Sequence, residues 1–190
     1  LTAEEARELR EAVAQLSSKD DWQRKNGIWR LEALKEKAAP AIPNLIAQLG
    51  SKGGENDRKE RGVIRFSFTL PGRIVDRSPG WQAGAALVAI GPAAVPALTH
   101  ALQTATPYAQ QNAVEALSEL RGAGALPLFR AMLQGQFSLS RTAALEPDRM
   151  ELRRTLIRSL TGMKDQEAIP LLVACLRLDH DRSIRVEAAE

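Results

Sequence analysis

At 190 residues the chain can form one substantial core or one extended array, and it is 44% hydrophobic yet only 4% aromatic. That balance suits closely packed small helices better than a β-sandwich. No apolar run reaches the roughly 18–20 residues that span a bilayer, and the single cysteine, Cys175, excludes an internal disulfide and any multi-cysteine metal site. The net charge of +3 is local: over 51–77, Lys52, Arg58, Lys59, Arg61, Arg65, Arg73 and Arg77 face Glu55, Asp57, Glu60 and Asp76, and the remainder balances.

In chain order, 1–18 reads as a capping helix with Leu9, Val13 and Leu16 on one face. Residues 20–50 carry a helical stripe at Gly27, Ile28, Leu31 and Leu34, then a run opened by Pro43 with Ile42, Leu45 and Leu49 on one face. The same two-part unit returns at 80–106 (Ala83, Gly84, Leu87, Ile90; Val95, Pro96, Leu98, Leu102). It returns again at 107–134 (Ala113, Val114, Leu117, Leu120; Leu126, Pro127, Phe129, Leu133) and at 149–178 (Leu156, Ile157, Leu160, Met163; Ile169, Pro170, Leu172, Leu176). Proline is tolerated in a helix's first turn, where its missing N–H has no partner anyway. Each unit is therefore expected to be helix A, a tight turn and helix B, with breakers at Gly91–Pro92, Gly122, Gly124 and Gly162. The small residues in the stripe fall where two helices approach closely.

Two insertions interrupt the period. Residues 51–79 begin polar and Gly-rich, then alternate: Ile64, Phe66, Phe68 and Leu70 on one side, Val63, Arg65, Ser67 and Thr69 on the other. With Pro71–Gly72 as a turn, this predicts a small β-hairpin. Residues 135–148 are polar with two anchors, Phe137 and Leu139. Residues 179–190 repeat the first half of a helix A. The chain opens on Leu1 rather than Met and stops at Glu190 inside a helical pattern, so a processed product or fragment is expected, with the cytoplasm the favoured compartment and export left open.

A unit recurring four times in phase is the signature of stacked supersecondary elements. On "ALVAIGPAAVPAL" (86–98), "ALSELRGAGALPLFRAML" (116–133) and "SLTGMKDQEAIPLLVACL" (159–176), the chain resembles the HEAT-repeat superfamily, in particular the bacterial PBS-lyase HEAT-like repeats. The resemblance implies an all-α, right-handed α-solenoid (an α-α superhelix) of four HEAT-like repeats with a truncated fifth. It also implies arginine early in helix A, as at Arg24, Arg153 and Arg185. Gly80 and Gln110 interrupt that column, so an arginine–acid ladder between repeats is expected to be incomplete.

Chemistry has little to stand on. His100 and His180 lie in different units without a neighbouring His-Glu pair, so the iron hydroxylases built on this scaffold are excluded. No phosphate-cradling loop, nucleophile elbow or metal-spaced cluster occurs. His100 reads as a solvated or packing residue, His180 as a turn residue between two aspartates, and Cys175 as a buried small side chain. Trp22, Trp29 and Trp81 read as core or inter-repeat packing rather than the base-recognising aromatics of HEAT-like DNA glycosylases. No enzyme activity, metal or cofactor is expected.

Binding is expected on the B-helix surface, which lines the concave side of such arrays. The outward positions include Asn44, His100, Leu128 and Leu171. The second candidate is the insertion, through Arg58, Arg61, Arg65, Phe66, Phe68 and Arg73. The reading is a non-enzymatic scaffold or adaptor holding a protein or peptide partner, with the insertion adding selectivity. Two alternatives stay open: nucleic-acid binding through the basic insertion, and a bilin-lyase-like protein that handles tetrapyrrole chromophores, as the repeat resemblance implies.

Overall fold

The computed structural model describes residues 1–53, 78–120, 123–137 and 141–189. All regular structure among them is helical, and it gathers into two compact units, Leu1–Ala97 and Leu98–Glu190. The expected hairpin within 51–79 lies outside the described residues except at its edges.

In the first unit, α1 (Ala3–Leu16) opens on a capping box. The Thr2 hydroxyl accepts the Glu5 N–H at 3.1 Å while the Glu5 carboxylate accepts the Thr2 N–H at 2.7 Å. Asp20 caps α2 (Asp21–Leu34) through the Trp22 N–H. The two helices pack at Gly27, where a Cβ would stand 2.7 Å from the Ala12 carbonyl oxygen, so glycine sets how closely they cross. Ile28 and Leu31 of the predicted stripe are fully buried. After a 3₁₀ turn over Lys35–Ala41 comes α3 (Ile42–Gln48), and α4 (Pro79–Ile90) packs on both α2 and α3. The buried residues of α4, among them Ala83, Ala86, Leu87 and Ile90, lie on more than one face, as suits a helix enclosed by neighbours.

Helix α5 (Val95–Thr104) runs across the division between the units. The second unit continues with α6 (Pro107–Glu119), α7 (Leu126–Gln136), α8 (Arg141–Ala144), α9 (Pro147–Gly162), α10 (Ile169–Leu178) and α11 (Arg182–Glu187). Here α9 packs between α6 and α7, α10 lies on α7, and α11 lies on α9 and α10. Fully buried Phe129 and Leu133 of α7 and Leu152, Leu156, Ile157 and Leu160 of α9 make its core. Burying side chains of that size stabilises the unit by about 1.5–3 kcal/mol each.

The repeat is visible in the backbone. Short 3₁₀ turns over Lys35–Ala41, Pro92–Ala94, Ala123–Ala125 and Gln166–Ala168 precede α3, α5, α7 and α10. Each of those helices then starts on an aliphatic residue followed by proline. At the end of helix A the left-handed position is held by Lys35 (φ 50°), Gly91 (φ 90°) and Lys164 (φ 55°). Gly162, expected as a breaker, is the last residue of α9, and the reversal falls two residues later on a lysine. Within the second insertion, Arg141–Ala144 form one helical turn, and α9 begins at Pro147.

The interrupted arginine column has a common purpose. Arg24 donates to the Ser18 carbonyl (2.8 Å), Arg153 to Ala144 (2.6 Å) and Arg185 to Asp179 (2.8 Å). Where the arginine is missing, the Gln110 amide donates to the Leu102 carbonyl (2.8 Å) and the Gly80 backbone N–H to Ser51 (2.9 Å). In four of the five cases the next helix's first turn satisfies a carbonyl at or near the end of the preceding segment, which otherwise lacks an intrahelical donor; Arg153, the seventh residue of α9, does so from the second turn. Gly80 and Gln110 keep this hydrogen bond while lacking a guanidinium for a charged ladder.

Candidate functional site

Arg153 is the most deeply set charge in the described chain, with 2% of its side chain exposed. Its fork takes Asp179 from both sides, Nε–Oδ2 at 3.0 Å and Nη2–Oδ1 at 3.2 Å, while Nη1 holds the Ala144 carbonyl. A close ion pair in which both terminal guanidinium nitrogens also donate hydrogen bonds, Nη2 to Asp179 and Nη1 to the Ala144 carbonyl, is a form in which a buried charge is tolerated. This clasp ties α8, α9 and the turn after α10 together and places α10.

The position of α10 exposes an apolar stripe. Ile169, Val173 and Leu176 recur at i, i+4 and i+7, one face of a helix, and are 55%, 39% and 42% exposed. Leu178 and, on α11, Val186 are exposed as well. Ile169 and Leu176 hold the pattern positions that Ile42, on α3, and Leu49, directly after it, hold in the first unit, and those two are 9% and 0% exposed. The sequence places Ile169 and Leu176 on one helix face like their counterparts in the first unit, and on α10 the structure leaves that face exposed. The stripe was missed because its sequence is that of a buried one; what differs is the absence, among the described residues, of a helix lying against it.

Charge around this edge is one-sided. Asp179 is spent on Arg153, Asp181 caps α11 and is held below the ordinary aspartate range by its Ser183 hydrogen bond, and Glu187 lies 3.6 Å from Arg158. Arg177 and Arg182 are exposed and make no ion pair among the described residues. Cys175, on the opposite side of α10, is fully buried, and desolvation pushes its thiol up to about 11, which leaves it unreactive at neutral pH.

Of the sequence-predicted contact residues, Asn44 and His100 are exposed and Leu128 and Leu171 are half-buried. Asn44 stands on α3 in the first unit, and the other three stand in the second. Arg58, Arg61, Arg65, Phe66, Phe68 and Arg73 lie outside the described residues, as does Leu139. Phe137 is half-buried. The packing expected of the tryptophans fails for two of them: Trp22 and Trp29, seven residues apart on α2, are 59% and 47% exposed, while Trp81 is half-buried. Among the described residues no cluster of three or more His, Cys, Asp or Glu could hold a metal ion, and no helix is long and apolar enough to cross a membrane.

Residues 152–177 match the family model of the PBS lyase HEAT-like repeat. No curated protein matches the sequence. Among solved structures, the complex of CpcE and CpcF of phycocyanin lyase from Nostoc sp. PCC7120 shares the fold: TM-score 0.60 and 23% identity over 95% of this chain and 62% of that one. An engineered protein aligns over 95% of this chain and 76% of its own at 17% identity, with a TM-score of 0.43. The chain thus spans 62% of the length of the lyase chain it resembles. The HEAT-like resemblance read from the sequence stands, and with it the all-helical α-solenoid class. The expectation of a non-enzymatic protein does not: a solved structure that shares its fold belongs to a lyase.

Proposed function

We propose that this chain is a helical-repeat component of a bilin-lyase-type assembly, which grips a partner protein while an open-chain tetrapyrrole is attached or removed. The observation that carries the protein-binding half is the open apolar edge of α10, Ile169, Val173 and Leu176, set beside exposed arginines. Contiguous apolar surface at helical spacing on a rigid scaffold is what a protein interface requires. The lyase half is supported by the fold shared with the phycocyanin lyase complex over 95% of the chain.

In this reading the outward positions of the B helices add contacts within their own units. Asn44 and His100 offer exposed polar groups, and Leu128 and Leu171 offer partly covered apolar ones. The single cysteine is too deeply buried to carry a chromophore, so any tetrapyrrole is held without a bond to this chain's thiol.

Titrating biliverdin, an open-chain tetrapyrrole, into the chain tests the chromophore half. The expected result is saturable quenching of tryptophan emission together with an induced circular-dichroism band in the visible. A flat visible signal at saturating pigment removes the lyase-type reading and leaves the protein-binding surface standing on its own geometry.

A further inference from the structure

Helix α2 lies inside the first unit with α1 and α4 both packed on it, yet Trp22 and Trp29 stay 59% and 47% exposed on one of its faces. Glu32 stands one turn beyond Trp29, at the i+3 position that neighbours it on a helix surface. That carboxyl is half-buried, and burial alone raises it; no cation among the described residues offsets the cost. We propose that Trp29 and Glu32 form a seat for the guanidinium of one arginine side chain.

The chemistry of the ligand follows from what the seat lacks. A half-buried carboxylate without a counter-charge is costly, and the cations of α2 are committed elsewhere. Arg24 is held by Asp21, and Arg30 by Glu8 and Glu11. Lys25 is buried and already engaged, and Lys35, at the left-handed turn past the helix, forms no ion pair with Glu32. An anion would be repelled there, and a purely apolar ligand would strand the carboxylate. An ammonium pairs with it but is strongly hydrated, whereas a guanidinium lies flat on an indole and forks towards a carboxylate beside the ring. Trp22, seven residues earlier and about 10.5 Å along the axis, offers a second ring. A polyproline-type segment brings residues three apart onto one side at about 9 Å, so arginines at that interval reach both rings.

Labelled peptides of about ten residues, Gly/Pro-rich and carrying two Arg, two Lys or two citrulline residues at that interval, are titrated into the 190-residue chain by fluorescence anisotropy. The Arg peptide is expected to bind about tenfold more tightly than the Lys peptide, and the neutral citrulline peptide more weakly still. Glu32→Gln and Trp29→Leu should each remove that preference while circular dichroism shows the chain still folded, and Trp22→Leu should weaken the Arg peptide less. The arginine comes either from a partner or from the chain's own 51–77 stretch. A chain with Arg58→Gln, Arg61→Gln, Arg65→Gln, Arg73→Gln and Arg77→Gln separates the two sources. Tighter peptide binding by that chain than by the parent means that one of its own arginines fills the seat; equal binding means that the arginine is a partner's. Equal affinity of both chains for the Arg and Lys peptides overturns the proposal, as does no binding by either chain, or an Arg preference that survives Glu32→Gln and Trp29→Leu. Biliverdin binding bears on none of these outcomes, so the seat and the lyase-type reading stand or fall separately.

Discussion

Helices α1 and α10 treat water in opposite ways. The outward side of α1 is charged: Arg30 of α2 reaches Glu11 at 2.9 Å and Glu8 at 3.6 Å, and Lys37 reaches Glu5 at 2.6 Å. Those pairs are a quarter to a half exposed and hold α1 weakly, because solvent screens them. At α10 the order is inverted. The ion pair is buried beneath the helix, between Arg153 and Asp179, and the surface above is apolar. A charged exterior is satisfied by water; an apolar one over a rigid clasp is not.

The largest test of this contrast removes the clasp. Arg153→Met strands Asp179 in the interior and should cost about 3–5 kcal/mol of unfolding free energy. Arg30→Met, which removes its two exposed pairs with Glu8 and Glu11 on α1, should cost no more than about 1 kcal/mol. Urea denaturation of the two variants beside the parent decides it, and near-equal losses would erase the distinction between the two regions. Adding Asp179→Leu to Arg153→Met should recover part of the loss, since the unpaired carboxylate, more than the lost contact, is what costs stability.

A second pair of variants compares one pattern position in two settings. Leu49→Ala opens a cavity in a fully buried site and should destabilise by about 2–5 kcal/mol. Leu176→Ala, at the same place on α10, should lie within about 1 kcal/mol of the parent, because almost half of that side chain already meets water. Comparable losses at both sites would show that the α10 face is covered in solution, and would sharpen the search towards self-association.

These paired outcomes mark how far the sequence alone could be read. Four helix pairs, their turns and the glycine at the α1–α2 crossing were legible, because proline, glycine and the 3.6-residue period act locally. The donor column was half legible. Arg24, Arg153 and Arg185 stand out, but Gly80 does the same work with a backbone N–H that has no sequence signature. The open edge was not legible at all. Ile169 and Leu176 are written like Ile42 and Leu49, and burial is a property of the neighbour rather than of the residue. Trp22 and Trp29 failed for a related reason: their size argues for the core, yet Trp29 adjoins buried Ile28 on the same helix, about 100° round from it, and faces out.

The smallest effect concerns acid. Glu5 and Glu11 both sit below the ordinary glutamate value of 4.5, Glu5 through its hydrogen bond to Lys37 and Glu11 through its hydrogen bond to Arg30. A depressed carboxyl contributes stability that is present above its unfolded value and is lost as pH falls through its folded one. Attachment of α1 should therefore be unchanged from neutral pH down to about 5 and loosen below about 4.5. Glu32 on α2 works against this, since burial raises its carboxyl and protonation on acidification relieves a cost instead of removing a contact. Hydrogen exchange of the α1 amides against pH separates the two. Glu5→Gln with Glu11→Gln should flatten the acid dependence, whereas Glu32→Gln should steepen it by removing the term of opposite sign. An acid dependence unchanged in both variants would mean that apolar contacts alone, through Ala12 and Leu16, hold α1 in place, and its charged exterior would then serve solubility alone.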